Sequence, residues 1–461
     1  MSAASSTPRD PAAQPAAQAA AQSAAQTAPR EPAAQTPTTA VSAPTSASTT
    51  ITVAGPSAEP AHPRRSVPAS LTLLRLGVSI IVLAWAALTT GQLILSWQAT
   101  RAATGDVQQL IRTQQIKVDL LRADALATNA FLVGGLEPSA QRAAYDGAVS
   151  SAMTTITAAA RAQPADGAVL SELSTLVVNY ASSMELARAN NRQGLPVGAA
   201  YLSAASSQLR GRGMALVDAA ITANTNRSSD SLADQHPIWI ALPGLGVLVV
   251  LWWTNRWIAR RFRRRINVGL ALCAGLVLAV SAAAVTVSAG QVGENDNLRS
   301  GSFLDARAGS AARSSANLAR SNESLRLIAR GSGAAYEKAW GEASTQVTAA
   351  LRQLRSPAAL TAQWEGYAAA HRALVALDDA GDWDGAVAAA TATGPDTATA
   401  KFTAFDDDLG ALVTDTGRRT TEALTTGSWV FLLLAVAALL FGAMASALAW
   451  RGVSRRLEEY S

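Results

Sequence analysis

Two stretches of this chain carry side chains suited to holding a small ligand. The first is Asn190-Asn191-Arg192-Gln193, three amides and a guanidinium just before Gly194. These donors suit a carboxylate or an amide; the alternative is a solvated helix C-terminus ending at the glycine. The second is an arginine series, Arg299, Arg307, Arg313, Arg320, Arg326 and Arg330. Arg313 and Arg320 lie seven residues apart, so they share one helix face. That face suits an acidic ligand, because a guanidinium fork pairs with a carboxylate. The alternative is an exposed, solvated face.

Other chemistry is missing. The chain has no nucleophile elbow, phosphate-cradling glycine loop, zinc motif or kinase signature, and no carboxylate pair stands out. His62, His236 and His371 are far apart and lack metal-ligand spacing. Cys273 is the single cysteine, so no intrachain disulfide can form. These residues point to a protein that is not an enzyme and carries no cofactor or metal.

The elements that would position these side chains are helices. Apolar residues make up 49% of the chain, an ordinary share, but they are gathered into four runs. The runs predict membrane helices at 76–95, 238–257, 266–289 and 429–450, each long enough for a bilayer core of ~30 Å. Ser79, Thr89, Thr90 and Gln92 in the first run suit packing between helices. A basic loop at 258–265 separates the second and third runs. Arg256 just before it and Arg260, Arg261, Arg263, Arg264 and Arg265 within it make a basic stretch, Arg256–Arg265, with no acidic residue. Short arginine-rich loops stay on the cytoplasmic side, and the same cations suit lipid headgroups. This places both termini in the cytoplasm, in a multi-pass protein of the plasma membrane. The net charge of +5 is smaller than the six charges of this stretch, so it reports orientation and gives no support for a nucleic-acid partner. Residues 1–68, rich in Ala, Pro, Gln and Thr, predict a disordered cytoplasmic tail. Residues 451–461 form a short cytoplasmic C-terminus.

Two Ala-rich regions, 97–236 and 291–427, remain outside the membrane. Each opens on a four-three seam, Val107 to Leu132 in the first and Leu304 to Ala329 in the second. Pro138, Gln163-Pro164 and Gly194-Leu195-Pro196 mark corners, which gives the first region four antiparallel helices. Asp166 and Asp382 are placed to cap helices, and Ser356-Pro357 reads as an N-cap followed by Pro at the first helical position. Tyr180 precedes Gly194 by 14 residues, and Tyr367 precedes Gly381 by 14. The two regions therefore read as copies. The fold class is an all-α membrane protein with four transmembrane helices and two extracytoplasmic four-helix bundles from an internal duplication. No Pro interrupts the chain between Trp97 and Leu132, so the first span should run on outside the membrane as one rigid rod.

Three strings, ADALATNAFLVGG (Ala123–Gly135), NNRQGLPVGAAYLSAASSQLR (Asn190–Arg210) and ARGSGAAYEKAW (Ala329–Trp340), resemble a family of actinobacterial membrane proteins. The family includes the GlnX-type amino-acid-sensing relay, and the resemblance covers roughly residues 70–456. It implies an extracytoplasmic amino-acid-binding lipoprotein and a cytoplasmic serine/threonine kinase as partners. More distantly, each bundle resembles the four-helix sensor region of chemoreceptors. The expected function is a transmembrane sensor or relay that receives a solute, or a solute-loaded binding protein, and signals to a cytoplasmic partner. The alternative is a non-enzymatic envelope scaffold or assembly factor. Ligand and oligomeric state stay open.

Overall fold

The computed structural model describes residues 67–134, 137–233, 237–262 and 267–457. Outside them lie the N-terminal tail to residue 66, His62, His236, residues 458–461, and Arg263, Arg264 and Arg265 of the basic loop; the Arg261 side chain also lies outside. In chain order the described helices are α1 (Val67–Val133), α2 (Ser139–Ala162), α3 (Gly167–Arg192), α4 (Val197–Gln208), α5 (Met214–Ala233), α6 (Pro237–Phe262), α7 (Val268–Ser300), α8 (Ser302–Ile328), α9 (Ala334–Leu351), α10 (Ala358–Asp379), α11 (Trp383–Thr391) and α12 (Ala398–Leu457). No strand occurs among the described residues.

Among the described residues, four helices are long and apolar enough to cross a membrane: α1, α6, α7 and α12. Helix α1 is unbroken over 67 residues, about 100 Å at 1.5 Å per residue. It has no Pro after Pro68 and is rich in Ala, Leu and Gln, which favour helix. It stops at Gly134, whose φ of +64° suits glycine. Helix α12 is likewise unbroken over 60 residues. The third span differs, because Gly301 separates α7 from α8 and a Cβ there would strike the Asn297 carbonyl.

The spans pack through small residues and turn large ones outward. A side chain on Gly442 would collide with Ala86, and one on Gly269 with the backbone of Gly452, so these helices touch nearly backbone to backbone. Ile80, Leu83, Leu88, Leu433, Leu439 and Leu440 are exposed, as lipid-facing residues must be. Two of the four polar residues of the first span bond to neighbouring helices, whereas the buried Ser79 and Thr89 hydroxyls make no such bond. Gln92 Nε2 donates to the Trp239 carbonyl at 2.8 Å, and Thr90 Oγ1 to that of Ala435 at 3.4 Å. At the far ends of α1 and α12, Arg75 lies over the Trp450 ring at 3.8 Å and donates to Ser454 Oγ at 3.1 Å.

Beyond the spans, the two expected bundles share a seam. Helices α1 and α8 are each buried nearly all round, so the four-three spacing marked only part of their contact surface. Leu325 of α8 belongs to the core of the first region, beside Leu120 and Tyr180. Small Ala, Ser and Thr side chains allow this close packing from several sides. At the membrane-proximal end Ala103, Val107, Leu110, Leu298, Phe303 and Leu424 form a collar that clamps α1, α7, α8 and α12 together.

Three local expectations meet different outcomes. Asp382 caps α11, accepting the Gly385 N–H at 2.9 Å. Asp166 does not cap α3: its carboxylate turns into the bundle and accepts from Gln109, Asn224 and Arg227. Ser356 is no cap either, since Pro357 occupies the N-cap position of α10 without a side-chain bond. A π turn at Leu209–Gly213, between α4 and α5, is unexpected. It carries Arg210, whose Nη1 reaches Asn322 Oδ1 on α8 at 2.6 Å.

Candidate ligand-binding site

The arginines of α8 turn inward. Arg313 and Arg320 do share a face, but that face is neither solvated nor free. Arg313 forks onto Asp406 of α12, Nε to Oδ1 at 2.8 Å and Nη2 to Oδ2 at 2.9 Å. Arg320 gives Nη1 to Glu323 at 2.5 Å and Nη2 to Ala390 O and Thr399 Oγ1 at 3.1 and 3.0 Å. Both are buried. Burial alone would lower their pKa values, and the paired carboxylates outweigh it and raise them. Arg326 is held by Glu337, Asp378 and Asp379, while Arg330 is exposed and lies over the Trp383 ring at 4.0 Å. Internal acids therefore already occupy the positions that an acidic ligand would take on Arg313 and Arg320.

Each half has a buried carboxylate at its centre, bonded by the tyrosine of the shared Tyr–Gly spacing. Asp124 of α1 accepts from Tyr180 OH at 3.4 Å, Ser206 Oγ at 2.8 Å and Ser321 Oγ at 2.6 Å. Ser321 is on α8, so this carboxylate also ties the halves together. Glu323 of α8 accepts from Tyr367 OH at 3.0 Å and pairs with His371 Nδ1 at 2.8 Å. The His371 ring stacks on Trp340 with centroids 3.7 Å apart, and its Nε2 faces Glu337 at 3.4 Å. Neither carboxylate was singled out in the sequence. The available signal was an acid within an Ala-rich helix, which is also what a solvated face looks like.

This cluster gives the head a pH dependence. Burial disfavours a charged imidazole, but Glu323 and Glu337 outweigh it and raise the His371 pKa. Burial would raise Glu323, but Arg320 and then His371 lower it; Glu337 is lowered chiefly by the hydrogen bond with His371. The His371 contribution to stability is whole below its ordinary value of 6.5 and is lost as pH rises through the raised folded value. The glutamate contributions are present above their ordinary value of 4.5 and are lost as pH falls through the lowered folded values. Melting temperature should therefore decline on both sides, and His371→Gln should flatten the alkaline limb. Melting curves from about pH 2 to about pH 9 check both limbs; an unchanged alkaline limb in the variant would assign it to another group.

The two halves enclose a cavity of about 670 Å³. Arg122, Ala125, Leu126, Asn129 and Val133 line it from α1, and Phe402, Thr403, Asp406 and Asp407 from α12. Asn317 and Arg320 of α8, Gln141 of α2, and Thr391, Thr393 and Thr399 add further polar groups to its wall. The volume falls within the range of small-molecule sites, and the wall mixes apolar surface with a few polar groups, as such sites do. Arg320 therefore lines a site, but through a charge that is already paired.

The Asn190–Gln193 stretch lies elsewhere. Asn191 Nδ2 donates to the Phe131 carbonyl at 3.0 Å, tying the end of α3 to the end of α1. Asn190 Nδ2 bonds back to the Leu186 carbonyl at 2.7 Å, and Gln193 caps the helix. Arg192 and Asn191 border a small cleft of about 160 Å³, together with Arg188 and Glu137, which pair at 3.0 Å. This is mainly a helix terminus. Arg256 and Arg260 sit at the end of α6, with Arg256 over the Trp252 ring at 5.7 Å, an arrangement suited to a membrane interface.

Comparison with known proteins gave no match among curated proteins and none among solved structures. One family model does match: residues 98–233 fit the actinobacterial sensor domain. The matched segment runs from the head part of α1 through α5, the half that supplies Asp124, Tyr180 and the α1 wall of the cavity. The chain is thus similar, over residues 98–233, to the actinobacterial sensor domain, which supports an actinobacterial sensor family and a sensing role.

Proposed function

We propose that this protein is a non-enzymatic transmembrane relay of the plasma membrane, with both termini in the cytoplasm. Its head receives a small solute, or a binding protein loaded with one, and its spans pass the event to a cytoplasmic partner such as a serine/threonine kinase. One observation carries this reading. The main walls of the cavity, α1 and α12, are the same helices that continue unbroken into the first and fourth spans. A change in their spacing at the cavity has no joint at which to dissipate, and helix shifts of ~1–2 Å are sufficient for signalling.

The relay is tested by filling the cavity without a ligand. Thr403→Trp projects an indole from α12 into it. In the full-length protein in nanodiscs, with Cys273 replaced by Ser, spin labels at Leu73 and Arg451 report the spacing of the opposite ends of α1 and α12. The substitution should shift that spacing by ~1–2 Å. No shift would favour the scaffold reading. Orientation is tested separately: cysteines at Ser139 and Ser356 should react with an impermeant reagent in intact cells, and a cysteine at Thr27 should not. The opposite pattern would invert the topology.

A further inference from the structure

Helix α6 carries Pro243 in its interior and still runs unbroken from Pro237 to Phe262. A proline has no backbone N–H, and its ring presses on the carbonyl four residues earlier. That carbonyl belongs to Trp239, and inside a helix it would otherwise bond the amide of residue 243. Helix α1 supplies the missing donor: Gln92 Nε2 reaches the Trp239 oxygen at 2.8 Å. A glutamine on one span thus replaces the bond that a proline removes from another. Between apolar helices an orphaned carbonyl has little water to turn to, so losing the replacement is unfavourable.

At this level α6 is packed closest to α7. A Cβ on Gly244 would strike Ser281 Oγ of α7, whereas Trp85 Nε1 of α1 stays 3.6 Å from the same point. The other flank of α6, with Leu242, Leu245, Val249, Trp252 and Trp253, is exposed. Helix α7 is itself separated from α8 by Gly301, so it is not one rod with the cavity wall. Whether α6 stays with α7 or moves with α1 therefore turns on the Gln92 bond. That bond has near-ideal length, and a shift of ~1–2 Å in α1 would break it unless α6 follows.

Resting on the proposed relay, we propose that Gln92 is the positioning residue that makes α6 move with α1, through the Trp239 carbonyl that Pro243 leaves without a donor. The route runs from the cavity wall along α1, crosses to α6 at Gln92, and ends at Arg256 and Arg260 on the far end of α6. Pro243 is part of the device, because a residue with a backbone N–H in its place would bond the carbonyl within α6 and leave Gln92 nothing to hold.

The full-length protein in nanodiscs, with Cys273 replaced by Ser, is labelled either at Leu73 and Arg451 or at Arg260 and Arg451, all of them exposed. Thr403→Trp should shift both spin-label distances by ~1–2 Å. With Gln92→Leu the Leu73 shift should remain, while the Arg260 shift should fall to about half or less. Melting temperature is the second readout. Gln92→Leu should lower it by about 2–4 °C in the wild-type chain, and leave it in place in a Pro243→Ala chain, where α6 bonds its own Trp239 carbonyl. Gln92→Leu combined with Pro243→Ala separates support of the fold from coupling: the melting temperature should return and the Arg260 shift should stay lost. Return of both would make Gln92 a support of the fold alone and overturn the proposal. An Arg260 shift untouched by Gln92→Leu, or equal melting losses in the two chains, would overturn it as well. The two readings fail separately. No Leu73 shift on Thr403→Trp removes the relay, and the melting cycle still decides whether Gln92 replaces the bond lost at Pro243. A Leu73 shift without an Arg260 shift removes this route and leaves the relay.

Discussion

Asp406→Ala is expected to destabilise the head by about 3–5 kcal/mol, the cost of stranding a buried charge. The Arg313 side chain is 11% exposed and relies on Asp406 for its bidentate pair. Removing the carboxylate also leaves Asn317 Nδ2 with one fewer acceptor and takes away the charge nearest to Arg122. The effect should spread, because Asp406 is where α12 is fastened to α8 and, more loosely, to α1. Replacing both partners, as in Arg313→Met with Asp406→Leu, should recover most of the loss, since a buried pair exchanged for packed apolar residues is often neutral. Denaturant unfolding of wild type, single and double variants in detergent measures this. A loss below about 1 kcal/mol in the single variant would mean that water reaches and solvates Arg313.

That pair also shows where the sequence stopped being legible. Spacing placed Arg313 and Arg320 on one face, and the structure agrees. What that face meets depends on Asp406, which lies 93 residues further along the chain. Helical periodicity reports which side chains share a face; it does not report which distant helix covers it. The same limit explains α1 and α8. A four-three seam describes a helix packed on one side, whereas these two are enclosed by neighbours, and their off-seam Ala, Ser and Thr residues suit either setting. The spans were legible because twenty apolar residues in succession have few other fates. The rod was legible because an unbroken run of helix formers without Pro has no place to bend. The shared Tyr180–Gly194 and Tyr367–Gly381 spacing was visible in the sequence, and its chemistry was not: each tyrosine bonds a carboxylate on a helix more than 40 residues earlier. The cavity drew on α1, α2, α8 and α12 together, and no local pattern announces such a meeting.

Breaking α1 at the membrane surface should uncouple the cavity from the far ends of the spans. The break belongs at Arg101 and Ala102, which are both exposed. One residue later it would damage the head itself, because Ala103 is 1% exposed within the collar of Val107, Leu110, Phe303 and Leu424. Arg101→Gly with Ala102→Pro removes a backbone donor and sets a proline ring against the preceding turn, at a cost of roughly 3–4 kcal/mol for the two changes. That cost falls on a short exposed stretch between two packed bodies. Head melting, followed through the buried Trp340 and Trp364, should therefore stay near the wild-type temperature. The shift that Thr403→Trp produces between Leu73 and Arg451 should drop by about half or more, because one of two continuous helices no longer carries a displacement of ~1–2 Å. Helix α12 remains whole and accounts for what is left. Arg101→Gly alone, which keeps every backbone donor, should retain most of the shift. A full shift in the broken variant would mean that the displacement travels through α12 alone, or through the collar into α7, and that the continuity of α1 is incidental to signalling.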